Sequence, residues 1–362
     1  MSYNSEFRRS IDQRDDFWRE QAQQLSWFEP FDQVCEWEAP HAKWFLGGKT
    51  NLAFNCLDRW VEGEKADQAA IVWEGEPGEV RTYTYRELWV EVQRFANVLE
   101  GLGVSAGDRV AIYMGMVPEA AIGMLACARI GAVHTVIFGG FAADAVRDRL
   151  NDAEVKVVLT QDAAWRRGKE VPLKAQVDAA VKNAPSVEKV VTLKRTGSEV
   201  TMVEGRDVWW HEAVESAADQ HTAVSLDSEH PLFILYTSGT TGLSKGALIS
   251  HRAMIARGMC YASELEVPIG DNFVAWAPFF HMVSTDRSIA TLLRGGTVHV
   301  VDGYQPDKII DIIEDVPMRA LVLIPGMIES FTAALNERQH QVLAHLRGPL
   351  PTQIVDLLLV AL

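Results

Sequence analysis

From residue 69 onward, short apolar runs alternate with stretches of helical periodicity, and that alternation constrains the fold more than any other feature of the chain. "AAIVWEGE" predicts a strand running into a turn, and "RTYTYRELWVEVQRFANVLEGLGV" a strand followed by a helix. Leu88, Val92, Phe95 and Leu99 recur there at three- and four-residue steps, and Gly101 and Gly103 end the run. "DRVAIYMG", "VHTVIFGG" and "VKVVLTQ" then read as strands separated by the helices "VPEAAIGMLACARIGA" and "AADAVRDRLNDA". A second series opens with "PLFILYT". A helix near 251–264, "NFVAWAP", a helix at 284–294, "TVHVVD", "PDKIIDIIED", "ALVLIP" and a helix at 326–335 complete it. Strands alternating with helices imply right-handed crossovers on mostly parallel sheets. The expectation is an α/β chain of two lobes in series, 69–230 and 231–362. A segment at 1–68, with a helix near 13–24, wraps them.

Bulk properties bound the function. With 48% hydrophobic residues and a mean hydropathy of −0.02 over 362 residues, a sizeable core is available. The formal charge of −15 argues against nucleic acid as a partner, because phosphates would be repelled unless a basic patch reversed the sign locally. Cys35, Cys56, Cys127 and Cys260 are far apart and lack metal spacing, which predicts reduced thiols. The charged start "MSYNSEFRRSIDQRDDFWREQ" has no signal-peptide core, and no apolar run approaches the ~20 residues a bilayer requires. A cytoplasmic protein without membrane association is expected.

The loop "YTSGTTGLSKG" after the strand at 231–237 is the strongest chemical signal. Ligands of α/β sheets collect beyond the carboxyl ends of strands. Thr237, Ser238, Gly239, Thr240, Thr241 and Gly242 bring hydroxyls and unhindered N–H groups that can form an anion-binding concavity, and Lys245 adds a positive charge. A triphosphate is the expected guest. An ordinary polar strand–helix connection is the bland alternative. A Walker A loop needs a hydroxyl residue after its lysine, whereas Gly246 follows this one.

The loop resembles the phosphate-binding signature of the adenylate-forming superfamily, which comprises acyl-CoA synthetases, luciferases and adenylation domains. "KWFLGGKTNLAFNCLDRW", "GDRVAIYMGMVPEAAIGMLACARIGAVHTVIFGGF", "LKRTG" and "GRDVWWHE" further resemble acetyl-CoA synthetases and propionyl-using relatives across about 40–213. The resemblance implies two stacked, mostly parallel αβαβα sheet lobes, incomplete at the C-terminus. It implies a reaction of carboxylate, ATP and CoA, through an acyl-adenylate, to acyl-CoA, AMP and pyrophosphate, with acetate or a short-chain acid as substrate and magnesium on the triphosphate. "WRRGK" resembles the segment that meets the 3′-phosphate of coenzyme A, which nominates Arg166, Arg167, Gly168 and Lys169; a solvated turn is the alternative. "APFFHM", in a stretch closer to ligases of larger acids, by resemblance nominates His281 as the catalytic residue beside the carboxylate and Phe280 for the acyl pocket; a plain core or surface histidine among bulky core residues is the alternative.

The resemblance also implies later segments: "YGxTE" with a magnesium-holding Glu, an Asp for the ribose, and a lysine-bearing C-terminal domain. None occurs in this sequence. A catalytically incompetent remnant, limited to binding nucleotide or a partner, is therefore the second reading, and a separate chain could supply the rest. A third is an unrelated α/β nucleotide-binding protein.

Overall fold

The computed structural model describes residues 3–237, 244–345 and 358–361. Two sheets dominate. The first has seven strands in the spatial order Asp207–Trp209, Lys189–Leu193, Val157–Gln161, Arg109–Tyr113, Val133–Val136, Pro231–Tyr236 and Gly246–Ser250. All its pairings are parallel except the last, Pro231–Tyr236 against Gly246–Ser250. The second has four strands, Asn272–Ala275, Thr297–Val301, Ala69–Glu74 and Val80–Thr84, parallel but for the hairpin that ends it. Largely apolar runs become central strands covered on both faces, as parallel sheets require: Val157–Gln161 and Thr297–Val301 are buried throughout, their few polar side chains included.

The sheets share one core. The helix Pro118–Ile130 is buried on every side, as expected of a helix apolar all round. It packs against the helix Tyr85–Gly101, whose Leu88, Val92, Phe95 and Leu99 all point inward. Val110 and Ile112 of the first sheet, and Ile71, Val298 and Val300 of the second, join the same cluster. Phe95 stacks on Trp210 with ring centroids 3.7 Å apart. Tyr85–Gly101 opens with a complete capping box between Thr84 and Glu87.

The stacked, mostly parallel α/β architecture thus stands as the sequence implied, but its chain path corrects the serial reading of 69–230 and 231–362. Ala69–Glu74 crosses to the second sheet, where Ile71 faces Val298. Pro231–Tyr236 belongs to the first sheet, where Phe233 faces His134. Each sheet is therefore built from both halves of the chain. The expected helix near 13–24 is a pair, Tyr3–Asp12 and Arg14–Ala22, followed by an antiparallel hairpin of Gln33–Glu38 and His41–Leu46. The last long helix runs over Pro325–His345, beyond the expected 326–335.

Candidate functional site

Five parallel strands from both sheets end at one cavity of about 690 Å³, the position where α/β sheets collect ligands. Met114 and Met116 follow Arg109–Tyr113, and Ile137–Gly140 follow Val133–Val136. From the second sheet, Trp276 and Pro278–Phe280 follow Asn272–Ala275, Asp302–Gln305 follow Thr297–Val301, and Glu76 follows Ala69–Glu74. Trp276 is fixed by its indole N–H, which donates to the Val322 carbonyl at 2.7 Å.

Phe138 connects the expected pocket residue to the basic segment. Its ring lies 4.8 Å from that of Phe280, and the Arg166 guanidinium stands over it at 5.0 Å from the centroid. Gly140 permits this approach: a Cβ there would stand 2.5 Å from Arg166 Nη1 and 2.6 Å from the Phe138 ring. Arg166 and Phe280 thus line one cavity although 114 positions separate them in sequence.

The "WRRGK" segment is a tight hairpin in which Ala164–Arg166 pairs with Lys169–Val171, rather than a turn between strand and helix. Arg167 and Gly168 both have positive φ, 53° and 73°, as a two-residue hairpin of this twist requires. The hairpin tip is tied to the second sheet. The Arg167 N–H donates to the Glu76 carboxylate at 2.8 Å, and the Gly168 N–H donates to the same group. Arg166, Arg167, Gly168 and Lys169 are all exposed.

The phosphate-loop candidates divide. Ser238, Gly239, Thr240, Thr241 and Gly242 lie outside the described residues. Thr237 and Lys245 form the neck, where the Thr237 N–H donates to the Lys245 carbonyl at 3.0 Å and the Lys245 N–H to Thr237 Oγ1 at 3.2 Å. The neck is the end of an antiparallel hairpin, in which Tyr236 faces Gly246. The expected strand–loop–helix is therefore strand–loop–strand, and the helix His251–Glu264 begins only after Gly246–Ser250. "GALIS" gave no strand signal because this edge strand is short and largely exposed.

His281 is set apart from the cavity wall. Its Nδ1 accepts the Val283 N–H at 3.4 Å and caps the helix Met282–Leu293, and the residue is exposed. His281 and Phe280 are therefore separated in environment, with only Phe280 lining the cavity.

Two carboxylates at the cavity were missed in the sequence, Glu76 and Asp302. The position of Asp302, just past the strand Thr297–Val301, was the available signal. Burial pushes the Asp302 carboxyl up to about 7, and the charge of Glu76 adds to the effect while Arg195 and Lys308 oppose it. Between the ordinary carboxylate value and 7 the folded state therefore binds the extra proton, so stability falls as pH rises through that window. Asp302→Asn is expected to melt higher than the parent at pH 8 and to lose that advantage at pH 4.5. An equal shift at both pH values would refute this account.

Among the described residues no group of three or more His, Cys, Asp or Glu side chains is placed to hold a metal ion, and no helix is long and apolar enough to cross a membrane.

The family model described as "AMP-binding enzyme" matches residues 57–355, and the one described as "Acetyl-coenzyme A synthetase N-terminus" matches residues 3–56. An acetyl-coenzyme A synthetase of Deinococcus radiodurans is 48% identical over 337 residues, covering 91% of this chain and 52% of that protein. One from Chlorobaculum tepidum is 45% identical over 329 residues, 89% of this chain and 50% of its own length. The chain thus spans about half the length of these curated relatives. Among solved structures, the acetoacetyl-CoA synthetase from Streptomyces lividans superposes with a TM-score of 0.83 at 26% identity, over 94% of this chain and 52% of that one.

Proposed function

Since the chain belongs to the AMP-binding enzyme family, we propose that it carries the triphosphate, coenzyme A and acyl-end contacts of an AMP-forming acid–CoA ligase. Acetate or another short-chain acid is the substrate by similarity to the acetyl-coenzyme A synthetases. In this reading a carboxylate oxygen attacks the α-phosphorus of ATP, pyrophosphate leaves, and the acyl-adenylate forms. The thiol sulfur of CoA then attacks the acyl carbon, the thiol gives up its proton, and AMP departs.

The observation that carries this reading is the meeting of Arg166 and Phe280 across Phe138, in a cavity at the carboxyl ends of strands from both sheets. It sets an anion-holding side chain and an apolar acyl wall around one space. Thr237–Gly242 and Lys245 would hold the outer phosphates, Arg166–Lys169 the 3′-phosphate of CoA, and Phe280 the acyl chain. His281 would serve from the edge of the cavity and would have to turn away from its capping bond with Val283 to reach a carboxylate. Magnesium would enter on the triphosphate, as its counter-ion. The adenine, ribose and lysine contacts implied by the resemblance would come from the portion of the relatives' length that this chain does not span, in continuation or as a separate chain.

The test is carboxylate-dependent exchange of labelled pyrophosphate into ATP, with acids from acetate to aryl acids. Exchange with one acid supports adenylation and names the substrate. In that event Lys245→Met is expected to lower the exchange rate by about 10²–10³, the usual cost of one preorganised charge-stabilising donor. Folded protein that binds ATP but exchanges with no acid favours the second reading, a chain confined to binding.

A further inference from the structure

The helices His251–Glu264 and Met282–Leu293 meet at Gly258 and Ala290, where a Cβ on Gly258 would stand 3.1 Å from that of Ala290. Tyr261 lies one turn past Gly258 and Arg287 one turn before Ala290, and the Arg287 guanidinium lies against the tyrosine ring. Tyr261, Arg287 and Arg294 line a cavity of about 30 Å³, together with Asp271, Asn272 and Phe273 at the start of the strand Asn272–Ala275. The cavity of about 690 Å³ is lined instead by residues past the other end of that strand, so the two are separate.

Two guanidinium groups reach the small cavity without a counter-charge. Arg287 is 7% exposed, and its buried Nη2 has no hydrogen-bond partner. Arg294 is fixed by its Nη2, which donates to the Val267 carbonyl at 2.9 Å, but its buried Nε has no partner either. Among the described residues no carboxylate forms an ion pair with Arg287 or Arg294, whereas Arg257 pairs with Asp286 and Arg319 with Glu266. Asp271 on the cavity wall accepts the Arg319 N–H at 3.0 Å, and burial pushes its carboxyl up, which reduces the charge it can offer Arg294. Burial pushes Arg287 down to about 9, and the charge of Arg257 adds to the effect. Arg287 is still a cation at neutral pH.

Buried charged donors in folded proteins are paired or hydrogen-bonded, because leaving them unmade is costly. A water molecule would satisfy these nitrogens without cancelling their charge; an anion does both. A space of ~30 Å³ has room for one water-sized occupant, which excludes phosphate and sulfate with their four oxygens.

We propose that Arg287 and Arg294 form a binding site for one small monovalent anion, the size of chloride or of a formate-like carboxylate, which ties the two helices to the start of Asn272–Ala275. The test is urea unfolding of the full chain at fixed ionic strength, with gluconate, too large for the cavity, exchanged for chloride. Exchanging about 100 mM is expected to raise the folding equilibrium constant about tenfold, as a site half-filled at ~10 mM requires. Formate in a parallel series separates the two occupants, and the anion with the larger effect is the one the site prefers. Arg287→Met and Arg294→Met should each remove most of the response. If neither variant folds, bromide soaked into crystals of the parent and located by its anomalous scattering decides the matter, with a peak expected in contact with Arg287 Nη2 and Arg294 Nε.

Equal folding constants of the parent in chloride, formate and gluconate would overturn the proposal. A response that persists undiminished in both variants would also overturn it, because the anion would then act elsewhere. So would bromide-soaked crystals with no peak in this cavity.

Discussion

Replacing Lys174 by Met is expected to destabilise the chain by about 3 kcal/mol, the lower end of the range for breaking a buried ion pair from one side. The side chain of Lys174 is 1% exposed. Its ammonium donates to Asp178 at 2.7 Å, to Asp207 at 2.8 Å and to the Thr201 carbonyl at 2.9 Å. Methionine fills the volume but leaves these acceptors without their central donor. The loss stays at the low end because Arg206 still pairs with both Asp207 and Asp178. For Asp207, burial favours the neutral form, but hydrogen bonds from Arg206 and Lys174 outweigh it and hold the carboxyl below its ordinary value. A lowered carboxyl contributes stability above the ordinary carboxylate pKa and loses it as pH falls through the folded value. The deficit of Lys174→Met should therefore be full at pH 7 and shrink toward pH 3, as Asp207 gains its proton. Urea unfolding at both pH values checks this. A deficit independent of pH would assign the effect to packing alone.

The second large effect concerns coenzyme A. Removing both guanidinium groups in Arg166→Ala/Arg167→Ala is expected to weaken CoA binding by about 100-fold, taking each contact at roughly 1.5 kcal/mol. Dephospho-CoA, which lacks the 3′-phosphate, should bind the parent and the double variant alike. That contrast separates a phosphate contact from a general loss of the cavity. The hairpin itself should persist, since its tip is held by backbone N–H groups on Glu76 rather than by the arginine side chains. If CoA and dephospho-CoA lose affinity equally, the arginines shape the cavity through Phe138 and do not read the phosphate.

Local pattern revealed the elements, and long-range pairing had to come from the structure. The helix His251–Glu264 and the strand Thr297–Val301 were legible because each carries its own periodicity or apolar run. Membership of a sheet was not, because Ala69–Glu74 has the same buried-strand character whichever sheet receives it. "GALIS" carries no strand signal, since a half-exposed edge strand shows no clean alternation. At the candidate site, the glycine-rich loop and the arginine cluster announced themselves by composition. Glu76 and Asp302 did not, because single acids in a sequence with 49 Asp and Glu carry no signal until the fold brings them to one cavity.

The exchange of strands between the two sheets sets an order on synthesis. Ala69–Glu74 leaves the ribosome early, yet its parallel neighbour Thr297–Val301 follows about 220 residues later. At ~5–20 residues per second, that leaves roughly 10–45 s in which a strand with the sequence "AAIVWE" has only its hairpin partner and one open edge. Open apolar edges recruit other strands. The nascent chain is thus most vulnerable to aggregation between the completion of the hairpin at residue 84 and the arrival of residue 301, and holdase chaperones that cover residues 69–74 in that interval should raise its yield more than any that act after release.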